Sequence, residues 1–564
     1  MTTAIALLIV LLASPSPAED LRLGDRTRDG RMSPLLDNLG DYQRLITTDS
    51  PDAQRFFNQG LTLIYAFNHA EALRSFKEVV RNDPECAMGY WGQALALAPN
   101  INDSAIGPDR EQQGYEAIRQ ALRFREGTKD VEKGLIEALA VRFSGSPEPD
   151  RDKLNLAYAQ AMKELHSRFP SDPDVATLYA DAVLNTRPWN YWSRDGKPYP
   201  EIPEAVEALE KAIRDHPDHP GAHHIYIHAV EASDNPDRAE PSADKLGSLV
   251  PGAGHLVHMP SHIYIRVGRY AEASEANVKA ITADEDYITQ CRAQGIYPAG
   301  YYPHNIHFLF ATLSMEGRSS EALAAASKVS EIHGHEHLQE PGFGFPHLLR
   351  TMPLFGMVRF GKWEEILRQP APGKEAPFGK VVFHFARGLA LIFAKNDVNS
   401  ASNELTQLRA AAKNPELEKL KIFDLNNLAT LSLIAEHVLA AELAAAEKKT
   451  AEALRLARQA VAIEDGMRYS EPPDWPLPAR HFLGAILMEA GMAKEAEEVY
   501  REDLKWHRQN GWGLRGLVNS LNARGKQKEA ADAEQQFRKA WARADIEITS
   551  SRMGASPKTQ GRTQ

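Results

Sequence analysis

Fourteen of the chain's 20 histidines fall between His216 and His347, where even spreading over 564 residues would place about five. Their spacing inside that window is helical. His224 and His228 stand four apart, His228 and Glu231 three, and His304 and His307 three. Residues at such separations lie one turn apart on a single helix face. Two imidazoles four apart can chelate one metal ion, and a neighbouring helix about 8–10 Å away can supply a third ligand. With His and Glu as donors and no thiolate among them, the metals that suit are Zn²⁺, Cu²⁺, Ni²⁺ and Fe²⁺. Neutral imidazole is the ligating form, so binding is expected to weaken as pH falls through about 6.5. The same residues suit a second chemistry, in which imidazoles donate hydrogen bonds to the carbonyls of a bound peptide. A histidine taken singly more often packs than ligates, so the weight rests on how many share one face.

Composition narrows the class of protein that must carry these residues. Hydrophobic residues make up 43% and charged residues 25%, the balance of a folded globular chain and not of a collagen or a disordered one. The net charge of −11 argues against a protein built to neutralise phosphate backbones, so no nucleic-acid partner is expected. Cys86 and Cys291 are the only cysteines, too few for a disulfide framework, a thiolate zinc site or an iron–sulfur cluster. Phosphate-binding loops, dinucleotide fingerprints, G-x-S-x-G elbows and H-E-x-x-H helices are all absent from the sequence, which leaves nucleotide and common hydrolase readings without support.

From about residue 41 to residue 545 the apolar spacing is helical, without strand alternation. A corner pattern recurs along it. Gly268-Arg-Tyr270-Ala-Glu-Ala273 returns with substitutions as Phe67 to Ala72, Gly317 to Ala322, Gly361-Lys-Trp363, Gly491 to Ala496 and Gly525 to Ala530. Asp234 and Gly268 are 34 residues apart, as are Gly491 and Gly525. This G-x-Y-x-x-A corner at a 34-residue period resembles the tetratricopeptide repeat. The resemblance implies an all-α fold, a right-handed α-solenoid of antiparallel helix pairs with insertions and a concave groove. It also implies that positions 2, 5, 9, 12 and 13 of each first helix line that groove. On this phase His224, His228 and Glu231 fall at 5, 9 and 12 of one repeat. His255, His258, His262 and Arg266 fall at 2, 5, 9 and 13 of the next, and His304 and His307 at 2 and 5 of a third. His223 falls on a packing position.

Pro260 interrupts the middle set. Proline cannot continue a helix from behind, so the helix starts at Pro260 or kinks there and leaves the Leu256 carbonyl without its partner. Other segments carry weaker chemistry. Ile332-His-Gly-His-Glu-His337 spaces three histidines by two, as metal-binding tracts and ordinary loops both do. Tyr297, Tyr301 and Tyr302 stand just before His304, placed to cover the groove or to plug a gap between repeats. Trp189, Tyr191 and Trp192 are expected to pack.

The remaining expectations concern the ends of the chain and its role. Residues Ala4 to Ala13 are apolar and lead into Ser16-Pro17-Ala18, the pattern of a secretory leader, which points to a secreted or periplasmic protein with no membrane span. The chain is read as a leader (1–18), a linker (19–40), repeats with an insertion (41–215), histidine-rich central repeats (216–347), further repeats (348–545) and a disordered tail (546–564). The first functional reading is a binding protein. Its groove takes a divalent transition metal, a metal-bearing partner, or a protein or peptide. A metal-free interaction scaffold and a metalloenzyme are the alternatives, and the sequence shows no acid–base or nucleophile set that would favour an enzyme. The metal ligands expected are His224, His228, Glu231, His255, His258, His262, His304 and His307.

Overall fold

The structure is a computed structural model that describes residues 30–193, 196–291, 297–332 and 342–554. The apolar run at 4–13, the histidines at 333, 335 and 337, and residues 555–564 lie outside the described residues. Strand among the described residues amounts to Lys421–Ile422 and Asn426–Asn427, paired antiparallel with Lys421 opposite Asn427. The rest of the regular structure is helical.

Helices come as antiparallel pairs, and the repeated corner explains why. Gly268, Gly317, Gly361, Gly491 and Gly525 all take left-handed backbone angles, with φ of 82°, 74°, 63°, 73° and 71°. A left-handed residue ends a helix by turning the chain, and glycine does so without a Cβ penalty. The small residue that follows lets the second helix close on the first. Ala72, Ala273, Ala322 and Ala496 are fully buried, and Ala530 nearly so. The corner at Asp234 departs from this pattern. A short 3₁₀ turn, Pro236–Ala239, intervenes before the helix Glu240–Leu249, so this repeat turns more gradually than its neighbours.

By packing, the chain divides into two units. The first contains the described parts of 1–188, 207–222 and 291–295, and the second contains 189–206, 223–290 and the described parts of 296–564. The first unit opens with Pro51–Tyr65, capped by the Ser50 hydroxyl on the Ala53 amide at 3.2 Å. Its partner His69–Asn82 buries Ala72, Phe76 and Val79 along one face. Phe76 is wedged between glycines. A Cβ added at Gly92 would lie 2.2 Å from the Phe76 ring, and one at Gly60 would lie 2.7 Å from it.

This unit also holds a buried carboxylate. Asp174 accepts from Tyr42 Oη at 2.6 Å, from Arg44 Nη1 at 2.6 Å and from Tyr65 Oη, with His219 Nε2 at 3.2 Å. Two hydroxyls, a guanidinium and one imidazole satisfy it fully, and its pKa lies well below the usual carboxylate range. Burial alone would raise it; Arg44 and His219 outweigh that.

In the second unit, two helices are long and apolar enough to cross a membrane by length and composition. They are Pro377–Lys395 and Leu428–Ala446, with mean hydropathies of 1.3 and 1.5. Both sit largely inside the protein. Leu431, Ile434, Val438 and Leu439 of the second are buried in a core shared with Val381, Phe385 and Leu389 of the first.

Residues 546–554, which on sequence are expected to open a disordered tail, pack on the last hairpins. Ile548 is buried, and Ser551 Oγ donates to the His481 carbonyl at 2.6 Å. Arg552 makes a two-pronged pair with buried Glu442 at 2.6 and 2.9 Å. A bidentate guanidinium–carboxylate pair supplies the order that apolar content does not.

The Phe76 wedge yields the first prediction. Gly92→Ala gains about 1 kcal/mol of helix propensity, against an overpacking cost of about 1–3 kcal/mol. Because the ring it strikes is itself buried, the upper end applies, and a net loss of about 1–2 kcal/mol is expected in urea unfolding. A variant as stable as the wild type would show that the Phe76 ring can yield.

Candidate metal centre

Four helical segments of the second unit deliver the histidines and a fifth supports them. Helix Pro220–Val230 carries His224 and His228 one turn apart, ring centroids 4.8 Å from each other, and Glu231 follows its last residue. The short helix Gly254–His258 carries His255 and His258. Helix Pro260–Val267 carries His262, and helix Tyr302–Glu316 carries His304 and His307. Helix Tyr270–Cys291 contributes Asn277 as a support.

At Pro260 both sequence alternatives hold together. A new helix begins there, while Met259 keeps helical angles of φ −51° and ψ −35°, so the chain kinks without leaving the helical path. The Ser261 hydroxyl donates to the His258 carbonyl at 2.6 Å and covers the break. His258 and His262 therefore still meet, with their Nε2 atoms 2.9 Å apart.

The donors gather in threes. His224, His228 and His255 form one group, and His258, His262 and His304 a second. Glu231, His262 and Glu471 form a third. Within each group the possible ligand atoms lie within 4.8 Å of one another. Seven of the eight residues expected from sequence are thus brought together. The eighth, His307, stands outside these groups. It is buried against Phe345, ring centroids 6.0 Å apart, and burial pushes its pKa down to about 3. His223, read as a packing residue, is buried and also outside the groups.

The setting of the histidines differs from the expected open groove face. His224, His228, His255, His258 and His262 are at most 2% exposed; only His304 is half-buried. They face one another because other segments close over them. Trp189 packs its ring 5.2 Å from His228, and Tyr301 lies 4.9 Å from His255. Tyr297, from the segment expected to cover or plug, donates to Asp284 Oδ1 at 2.7 Å and accepts from the His255 amide at 3.3 Å. Asp284 also accepts from Asn305 at 2.6 Å, and burial raises its pKa to about 7 despite both donors.

Glu471 is the member that sequence reasoning missed. It sits in a proline-flanked loop some two hundred residues beyond His262, where no periodicity marks it. Its carboxylate accepts from Tyr469 Oη and stands 3.3 Å from His262 Nδ1. Arg266, placed at groove position 13, donates instead to the backbone carbonyls of Glu231 and Ser233.

Hydrogen bonds settle which nitrogens point inward. Glu231 takes His228 Nδ1 on one oxygen at 2.9 Å and His262 Nδ1 on the other at 2.5 Å. Asn277 donates its amide to the Ala273 carbonyl at 2.8 Å, so its oxygen faces His258 Nδ1 at 2.7 Å. His258 Nδ1 must then be the donor, and its Nε2 carries a lone pair. Carboxylate and amide oxygens behind ligating imidazoles are the usual outer shell of a metal site, where they hold ring and tautomer.

Electrostatics separate one ring from the rest. Burial holds His255, His258 and His304 well below the ordinary imidazole pKa, and the neighbouring imidazoles push the same way. Burial also acts against a charge on His262, but Glu231 and Glu471 outweigh it and raise the pKa. Glu231 is correspondingly lowered, burial opposing and the two imidazoles prevailing, while burial raises Glu471. Within the cluster, then, the surroundings favour the charged form of His262 and the neutral forms of His228, His255, His258 and His304.

Asp284 gives a test of the wall behind His255. Its folded pKa lies above its unfolded value of 3.8, so its contribution to stability is present at low pH and is lost as pH rises through about 7. Asparagine does not titrate. Between about pH 5.5 and pH 8, unfolding of chelator-treated Asp284→Asn should therefore gain about 2 kcal/mol relative to the wild type. A gap that stays constant across that range would place an ionised carboxylate there at both pH values.

Neither a protein-family model nor a curated protein matches the chain. Solved structures similar to it include yeast Tom70, at 13% identity and a TM-score of 0.29 over 86% of this chain and 92% of that one. The human IFIT1 dimer with m7Gppp-AAAA is similar at 13% and 0.30, over 88% and 91%. The TPR domain of P58(IPK) follows at 10% and 0.20, over 87% and 96%. TM-scores this low carry no argument about function, and the helical-repeat fold rests on the corners and hairpins themselves.

Proposed function

We propose that this chain is a helical-repeat protein whose second unit binds a divalent transition metal through its buried histidine cluster. The observation that carries the reading is the joint arrangement of donors and supports. Six imidazoles and two carboxylates gather in three groups of three, and Glu231 and Asn277 hold three of the rings from behind. Zn²⁺, Cu²⁺, Ni²⁺ and Fe²⁺ all suit imidazole donors without thiolate. His304 is the half-buried member of the set, the ring most open to an ion arriving from solvent. The apolar run and small-residue pattern at 4–18 support a secreted or periplasmic setting for this binding.

A second reading has its own observation. The chain from Asn277 through His258 and His262 to Glu231 and His228 is a complete hydrogen-bond series without an ion. On that reading the cluster is a polar core, and the repeats bind a protein or peptide partner elsewhere on their surface. Burial of the histidines disfavours the remaining alternative, that they themselves donate to a bound peptide.

Elemental analysis of protein purified without a His-tag separates these readings. About one or more equivalents of a single metal are expected, lost on dialysis against chelator and absent from the His228→Asn/His262→Asn variant. Protein that arrives metal-free and fails to take up Zn²⁺, Cu²⁺, Ni²⁺ or Fe²⁺ would leave the polar-core reading.

A further inference from the structure

Metal binding of the kind just proposed leaves open how many ions the cluster holds, and the inference here rests on that reading. Two nitrogens ligating one tetrahedral ion at 2.0–2.1 Å lie about 3.3 Å apart, and no two ligands of one ion exceed about 4.2 Å. The six imidazoles do not form a single group of that size; they meet the 4.8 Å limit only in threes. Each three contains its own close pair. His224 Nε2 and His255 Nε2 are 3.1 Å apart in one, and His258 Nε2 and His262 Nε2 are 2.9 Å apart in the other. These pairs share no residue, and both lie near the edge length of a ligand pair on one ion. The groups nevertheless adjoin, with ring centroids of His228 and His262 5.6 Å apart and those of His255 and His258 6.1 Å apart.

The geometry points to a paired metal centre, in which one ion is held by His224, His228 and His255 and a second by His258, His262 and His304. The third group does not add another ion. His262 already turns its Nδ1 to Glu231, so its Nε2 is the nitrogen left for the second ion. Glu231 and Glu471 then act from the outer shell as the anionic counterweight to two cations. Glu231 also couples the two halves, since its oxygens hold one ring of each. Three imidazoles per ion leave each ion at least one open position for water or an external oxygen donor, the coordination of a reactive centre and not of a closed structural one.

Chelator-treated full-length protein is loaded with Zn²⁺ and its bound metal counted after gel filtration, alongside His224→Gln and His304→Gln. Two equivalents are expected in the wild type and about one in each variant, which removes one ligand from one group only. A second measurement does not depend on the variants. Wild-type protein loaded with Cu²⁺ should show the half-field EPR transition of a dipole-coupled pair, because two Cu²⁺ ions in adjoining sites interact through space. One equivalent in the wild type, with no half-field EPR transition, overturns the pair and leaves single-ion binding standing. No uptake of either metal overturns both.

Discussion

A carboxylate with almost no exposure to water must be given donors, and Glu231 is given two imidazoles. Everything around the cluster follows from that requirement. One oxygen holds His228 and the other His262, so rings from two separate helices are fixed through their Nδ1 atoms, and His262 turns its Nε2 to His258. An unpaired buried carboxylate would instead protonate or force the helices apart. Arg266 reinforces the arrangement by donating to the Glu231 carbonyl and so anchoring the backbone that carries the side chain.

The first unit makes a useful contrast. Asp174 is buried about as deeply as Glu231 and takes four side-chain donors where Glu231 takes two imidazoles. Its partners are two phenols, one guanidinium and a single imidazole. Such a set cancels the charge and leaves no converging lone pairs, so the network ties segments together and does no more. Around Glu231 the donors are themselves bases, and His262 turns its second nitrogen to the His258 ring. The difference between the two networks lies in what the donors carry on their far side.

Pro260 shows how a local rule and a tertiary demand can both be met. Proline at the first position of a new helix loses no hydrogen bond it could have made, and Met259 keeps the helical path across the junction. The kink leaves His258 and His262 on a common side while allowing His255 to lean toward His224. A straight helix would set His255, His258 and His262 in one row along a single helix. The break divides them between two groups.

By itself the sequence determined the helices, the corners and most of the buried histidine cluster, because each is local. Left-handed glycine, a small residue after it and a fixed period report on a few neighbouring residues, and imidazoles one turn apart share a face wherever the helix goes. Tertiary structure decided the rest. Glu471 arrives from a distant loop that no period marks, while His307 turns away to Phe345 although it lies one turn from His304. Burial of the cluster depends on Trp189 and Tyr301, aromatics from outside the repeat pattern. The order of residues 546–554 depends on Glu442, which meets Arg552 only after the last hairpins have packed. Contacts between remote segments cost chain entropy that only the assembled core repays, and no spacing along the chain records them.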